Sequence, residues 1–235
     1  DVFLQVMPGF TRAYLPAAHQ TPNEVLKDGD VIPVLLQHVM QGAALQGKAA
    51  LVVSRNTTAL PEKLLESYVT EIKLGDIEVV KVVREPGLGT KIAVRSKDPQ
   101  LSAVGTCLGR NKWRVLKMSE DLGGEMVSVA GWSDDPKEFV ASALFPGLVR
   151  ADQVSIDVEK NSATCQLEDD KYKSDKSINS FGNMAKAIGK AGVNVRLAAK
   201  ITGLYISIVE GDVSAPRRQM SDERPERGEG RFKKL

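Results

Sequence analysis

The sequence predicts an α+β chain: a small OB-type β-barrel, then two copies of one αββααβ unit. Three observations carry this. Residues 1–55 hold four short runs rich in Val, Leu and aromatics, separated by Pro-Gly, Asp-Gly and the loop QGAALQG. From Leu60 onward, segments of helical period alternate with segments of strand period. Two glycine landmarks then recur at a spacing of 80 residues, Gly109 with Gly189 and Gly123 with Gly203. Order and spacing, rather than identity, mark an internal duplication.

The barrel, residues 1–56, is read from FLQVM, TRAYLP, VIPVLLQHV and KAALVVSR. Four such strands make a small barrel that lacks its first strand. DVFLQVMPGF has no initiator Met and reads like the middle of a strand, so a fragment or a processed form is expected. The first unit, 59–131, opens with PEKLLESYV. Pro61 suits a first helical turn, and Leu64, Leu65 and Tyr68 fall at helical spacing. IEVVKVVRE and TKIAVRS read as strands and SAVGTCLG as a short helix. GRNK is a break, WRVLKMSEDL a helix stopped by Gly123-Gly124, and EMVSVAG a strand. The second unit, 133–211, repeats the order. SDDPKEFVASAL is a helix with a cap expected at Ser133 or Asp134 and Pro136 in its first turn. QVSIDVEK and SATCQLE are strands about a turn at Lys160-Asn161. NMAKAIG and VNVRLAAKIT are helices joined by GKAG, and LYISIVEG is the last strand. EDDKYKSDKSINSFG reads as a flexible polar loop. The charged tail, 212–235, has too few apolar residues to fold and is predicted to be disordered.

Composition excludes more than it assigns. Hydrophobic residues at 42% and charged residues at 26% are ordinary for a globular chain. No apolar run approaches the roughly 18 residues of a membrane span, and no signal-peptide pattern opens the chain. Cys107 and Cys165 stand 58 residues apart without a CxxC pair, which reads as packed, reduced thiols rather than a metal site. His19 and His38 read as surface or packing residues. Asp134 and Asp135 read as helix-start acids, and Glu168, Asp169 and Asp170 as solvated loop acids. The net charge of +2 argues for nothing, but its distribution does. Arg110, Lys112, Arg114 and Lys117 form one acid-free cluster, and Lys186, Lys190, Arg196 and Lys200 recur like it. Such clusters on a near-neutral chain fit a nucleic-acid footprint, against the plain alternative of a solvated helix face.

The chemistry centres on AIGKAGVNVRLAAKITG, residues 187–203. A lone GxxG is a weak signal, being also a helix cap followed by a tight turn. Here it joins two short helices inside an αββααβ frame. Glycines let phosphates approach the main chain, and amides at the start of the second helix can meet them. Ile188, Val195 and Ile206 are candidates for an apolar groove that holds bases. A nucleotide P-loop would need GxxxxGK[ST] after a strand, and this loop follows a helix. Single-stranded nucleic acid therefore fits better. Trp113 after the first loop either stacks on a base or packs as a helix residue, the bulkier reading being packing. Tyr205 on the last strand is open to either face. Trp132 is expected between the two units.

REPGLGTKIAVRSKDP (84–99), VGTCLG (104–109), LGGE (122–125), WSDDPKEFVASAL (132–144) and AIGKAGVNVRLAAKITG together resemble the bacterial NusA family of transcription elongation and termination factors. FTRAYLP (10–16) and LVVSR (51–55) resemble that family's barrel. The resemblance spans roughly 1–210 and implies an OB-type barrel followed by two tandem type II KH domains. It implies single-stranded, nascent RNA as ligand, RNA polymerase as partner, no catalytic activity, no cofactor and no metal. It further implies a monomer off the membrane, in the bacterial cytoplasm with the transcription machinery, and the departures from the family named below add a plastid stroma as the alternative. The RNA-binding residues it points to are Gly189, Lys190, Ala191, Gly192, Asn194, Arg196 and Lys200. Gly109, Arg110, Asn111, Lys112, Arg114 and Lys117 form a weaker second set. The sequence departs from the family at Lys112, which replaces the second glycine of the first loop, and at Gly89, where the family has an arginine. Weakened RNA binding by the first unit is expected. Two other functions stay open. One is a protein-binding scaffold with reduced RNA affinity. The other is part of a ribonuclease, against which stand the barrel-first order and the want of an acid–base cluster.

Overall fold

The computed structural model describes residues 1–9, 11–22, 24–40, 51–167 and 182–211. The QGAALQG loop, nearly all of the polar stretch from Glu168, and the 212–235 tail lie outside the described residues.

Four strands form the N-terminal sheet: β1 (Val2–Gln5), β2 (Arg12–Leu15), β3 (Leu35–Val39) and β4 (Leu51–Ser54). Their order is β1-β2-β4-β3, with β2 and β4 parallel and the outer pairs antiparallel. Ala13, Leu15 and Val53 make its core. The strands fall on the four apolar runs of the sequence.

The first repeat runs α1 (Ala59–Tyr68), α2 (Thr70–Leu74), β5 (Ile77–Glu85), β6 (Gly89–Ser96), α3 (Ala103–Leu108), α4 (Trp113–Asp121) and β7 (Met126–Gly131). The five-residue α2 was not legible from periodicity, being shorter than two turns. Sheet order is β5-β6-β7, antiparallel then parallel. The second repeat runs α5 (Pro136–Ala143), β8 (Val154–Asp157), β9 (Ser162–Leu167), α6 (Asn183–Ile188), α7 (Val193–Thr202) and β10 (Tyr205–Glu210). Its sheet, β8-β9-β10, has the same antiparallel-then-parallel pairing. The 80-residue duplication read from glycines is thus a duplication of topology. The cap of α5 corrects the expectation of Ser133 or Asp134. Asp135 Oδ1 accepts from the Lys137 amide at 2.8 Å, while Ser133 Oγ accepts from the Asp135 amide and donates to Glu138.

β6 explains how the repeats meet. Its alternation sends Ile92 and Val94 into the core under α1, α3 and α4, with Cys107, Val115 and Met118. Gly89, Lys91 and Ala93 point the other way, toward the second repeat, so the strand is buried on both faces. Ala93 and Ala130 belong to the core of the second repeat, beside Phe139, Leu144, Cys165 and Ile201. Trp132 packs there against Phe139, ring centroids 4.6 Å apart, as expected of a residue between the units. Both cysteines are free and buried. α7 lies on β5 and β6. A Cβ on Gly89 would stand 2.9 Å from a Leu197 methyl and 3.0 Å from a Val193 methyl, so the missing side chain is what lets the helix seat.

The N-terminal sheet docks on the first repeat through buried charge. The Arg55 guanidinium pairs with Glu24 and also donates to Asp121 O at the end of α4. Arg84 on β5 pairs with Glu125 at 2.8 Å, both side chains fully buried, and donates to Arg55 O and Thr57 O.

Candidate nucleic-acid interface

Both helix–loop–helix joints have one backbone shape. Gly189 sits at φ 77°, Ala191 at 50° and Gly192 at 71°; the first joint has Gly109 at 69°, Asn111 at 54° and Lys112 at 59°. Lys112 therefore adopts the glycine's conformation rather than reshaping the turn, which for an L residue costs about 1–2 kcal/mol. Its ammonium lies 5.3 Å from the centre of the Phe145 ring, just after α5 in the second repeat. Substituting the second glycine has kept the loop's path and added a side chain that leans on the second repeat.

At the second loop the first glycine is obligatory for packing: a Cβ there would meet Asn194 Cβ at 2.7 Å and its amide at 2.9 Å. Gly192 faces open space except for the end of the Arg196 side chain at 3.3 Å. Lys190 and Ala191 are exposed, and so is Lys186 on α6. Among the described residues Arg110, Lys186 and Lys190 make no ion pair, so their charge faces solvent.

The packing refines the expected binding residues one by one. Asn194 is fully buried. Its Nδ2 donates to Leu144 O and Ala187 O, both at 2.9 Å, and its Oδ1 accepts from Lys91 at 2.9 Å, so it holds the loop and meets no ligand at the surface. Arg114 is its counterpart 80 residues earlier. The Arg114 guanidinium donates to Thr106 O and stacks on Trp113, which commits it to the loop's frame. Val195 and Ile206 are partly buried and pack on one side against the core of the second repeat. Lys117 is engaged by Glu120 and Asp121, at 3.3 and 3.1 Å. Arg196 and Lys200 stay at the surface but share Glu85 of β5, at 2.8 and 2.6 Å, and Arg196 also donates to Ala191 O. Hydrogen bonding from Arg196 is the leading cause that holds the Glu85 carboxyl down at about 2. Trp113 is 46% exposed and meets Tyr68 edge-on, and Tyr205 is 77% exposed at the start of the edge strand β10.

Two residues were missed, Lys91 and Glu85. The sequence signal was a lysine inside the otherwise apolar TKIAV run, which only the packing of a second unit makes interpretable. Burial pushes the Lys91 ammonium down to about 7.

Among the described residues no group of His, Cys, Asp and Glu could hold a metal, and no helix is long and apolar enough to cross a membrane. Known protein families match both repeats. The model of the NusA-like first KH domain covers residues 55–132, and that of the NusA-like second KH domain covers 136–215. The transcription termination/antitermination protein NusA of Thermus thermophilus is 36% identical over 214 residues, 91% of this chain and 50% of that protein. Its namesake from Bacillus subtilis is 38% identical over 206 residues, 88% and 51% of the two chains. That of Mycobacterium tuberculosis strain H37Rv is 36% identical over 202 residues, 86% and 53%. The chain spans about half the length of these curated relatives.

Proposed function

The chain belongs to the NusA family, and on that premise we propose that it is a single-stranded-RNA-binding core that grips nascent RNA beside RNA polymerase. In this reading it modulates pausing, termination and antitermination by binding, without catalysis, in the bacterial cytoplasm. The N-terminal sheet is an OB-type barrel in the same reading, with domains at 1–56, 59–131 and 133–211. The observation that carries the proposal is the second loop. Its two glycines keep the main chain open, and its free cations Lys186 and Lys190 flank it. A phosphodiester chain laid along Gly189, Lys190, Ala191 and Gly192 meets backbone and charge together. Gly109, Arg110, Asn111 and Lys112 make a weaker contact of the same kind, with a side chain where the backbone should be bare.

The test is the anisotropy of a labelled RNA of about 12 nucleotides, titrated with wild type and Gly192→Asp. Aspartate tolerates positive φ better than most residues, and the space at Gly192 is open, so the variant should fold. It sets a carboxylate where phosphate would lie. Affinity is expected to fall at least about tenfold, or about 1.4 kcal/mol. With about four to six phosphates contacted, log affinity should fall against log salt with a slope of roughly −3 to −4. A flat salt dependence sinks the reading.

One observation favours a second function, a scaffold that binds proteins: the cations of α4 and α7 are largely paired with acids of the chain itself. Capture of polymerase or ribosomal proteins that survives ribonuclease would favour it.

A further inference from the structure

The first repeat has the damaged loop, yet its sheet reaches the intact loop of the second. Lys91 projects from the α7-facing side of β6 and is fully buried. Its Nζ donates to Asn194 Oδ1 at 2.9 Å and to Phe145 O at 3.1 Å. Asn194 passes the contact on: Nδ2 donates to Ala187 O, two residues before Gly189, and to Leu144 O. The Asn194 Cβ and amide fill the space that a side chain on Gly189 would need. A second arm runs from Glu85 through Arg196 to Ala191 O in the middle of the loop. Two paths thus lead from one sheet of the first repeat to the entry and the centre of the second repeat's loop.

Among the described residues the first loop has no hydrogen-bonded equivalent. Arg114, at the position matching Asn194, reaches Thr106 O within its own repeat, and the cross-unit contact of that loop is the Lys112 ammonium against the Phe145 ring of the second repeat. Burying an ammonium against two neutral oxygens is costly, and an aliphatic residue of like size would be cheaper for stability alone. That cost goes with a specific geometry, the fixed orientation of the Asn194 amide.

We infer that Lys91 is a positioning residue for the second loop: through Asn194, the sheet of the first repeat holds Gly189–Gly192 in its open form. The first KH unit then serves RNA binding even where its own loop grips weakly. This rests on the reading that the second loop binds RNA, and the test separates the two.

Wild type, Lys91→Met, Gly192→Asp and the double variant are compared with the 12-nucleotide RNA, and amide hydrogen exchange is followed at residues 190–193. Methionine keeps the volume and removes both donated bonds. Lys91→Met should exchange faster at the loop and bind about five- to tenfold more weakly, the low end of coupling between separate sites. In the Gly192→Asp background it should cost nothing further, because the loop it serves is already blocked. Losses that add instead assign Lys91 to stability alone and overturn the inference. So does a folded Lys91→Met protein with wild-type exchange and affinity, or faster exchange with unchanged affinity while Gly192→Asp still weakens binding. If Gly192→Asp binds like wild type, the RNA reading of the loop fails, and loop exchange alone judges the brace. Should Lys91→Met not fold, Asn194→Asp carries the test. It keeps an acceptor for Lys91 but removes the donors to Ala187 O and Leu144 O, and unchanged loop exchange in it overturns the inference.

Discussion

At the scale of single residues, a buried lysine has a pH signature with a definite sign. Lys91 has an ordinary pKa of 10.5, which burial brings to about 7, and its two partners are neutral oxygens. Between those values the unfolded chain holds a proton that the folded chain has given up. Stability therefore rises with pH through this window, and the cost of the buried charge is present in full below 7. Cys107 and Cys165 work oppositely above pH 9, because burial pushes the thiols up to about 12 and about 11. The lysine is best read from pH 7 to 9. Urea unfolding should show wild type gaining stability over that range relative to Lys91→Met; parallel profiles would deny the shift. Residues also mark where the sequence was opaque. The loss of the second glycine at Lys112 was visible as a letter, but the retained turn was not. Asn194 read as a surface contact because it follows a GxxG loop, whereas its amide is spent on carbonyls contributed by two other segments.

Elements were more legible than contacts, because their ends are written in chemistry that needs no partner. Gly203 closes α7 at φ 78° and Gly75 closes α2 at 84°, each the left-handed residue a helix end favours. Pro136 at the first turn announced α5, while the cap, expected at Ser133 or Asp134, falls instead on the adjacent Asp135. The Asp135 cap satisfies the Lys137 amide. Asp135→Ala should cost about 1 kcal/mol, and Asp134→Ala distinctly less, measured as the shift of the urea midpoint. Equal effects would show that charge near the helix start, rather than the cap bond, is what matters. β6 shows the limit of this legibility. A strand buried on both faces reads as a continuous apolar run, so TKIAVRS announced a strand but not that one face belongs to another unit.

On the scale of the whole molecule, the N-terminal sheet is joined to the first repeat through buried polar contacts, and periodicity says nothing of them. Arg84 and Glu125 lie 41 residues apart in sequence. Glu125 also accepts from the Gly87 amide at 3.0 Å and from the Thr90 hydroxyl, and Arg84 holds the chain where the N-terminal sheet enters the first repeat. Such a pair contributes little net stability compared with an apolar substitute, since desolvation offsets attraction, but breaking it from one side strands a charge. Glu125→Leu should therefore cost about 3–5 kcal/mol. Arg84→Met with Glu125→Leu should recover much of that loss but not all, because the Gly87 amide and Thr90 hydroxyl remain without their acceptor. Urea unfolding of the two single variants and the double variant decides it. If the double variant is no better than Glu125→Leu, the damage lies in those lost acceptor bonds rather than in the stranded guanidinium. The junction would then be held by the carboxylate's reach into the β5–β6 turn, with Arg84 its counter-charge and not its reason.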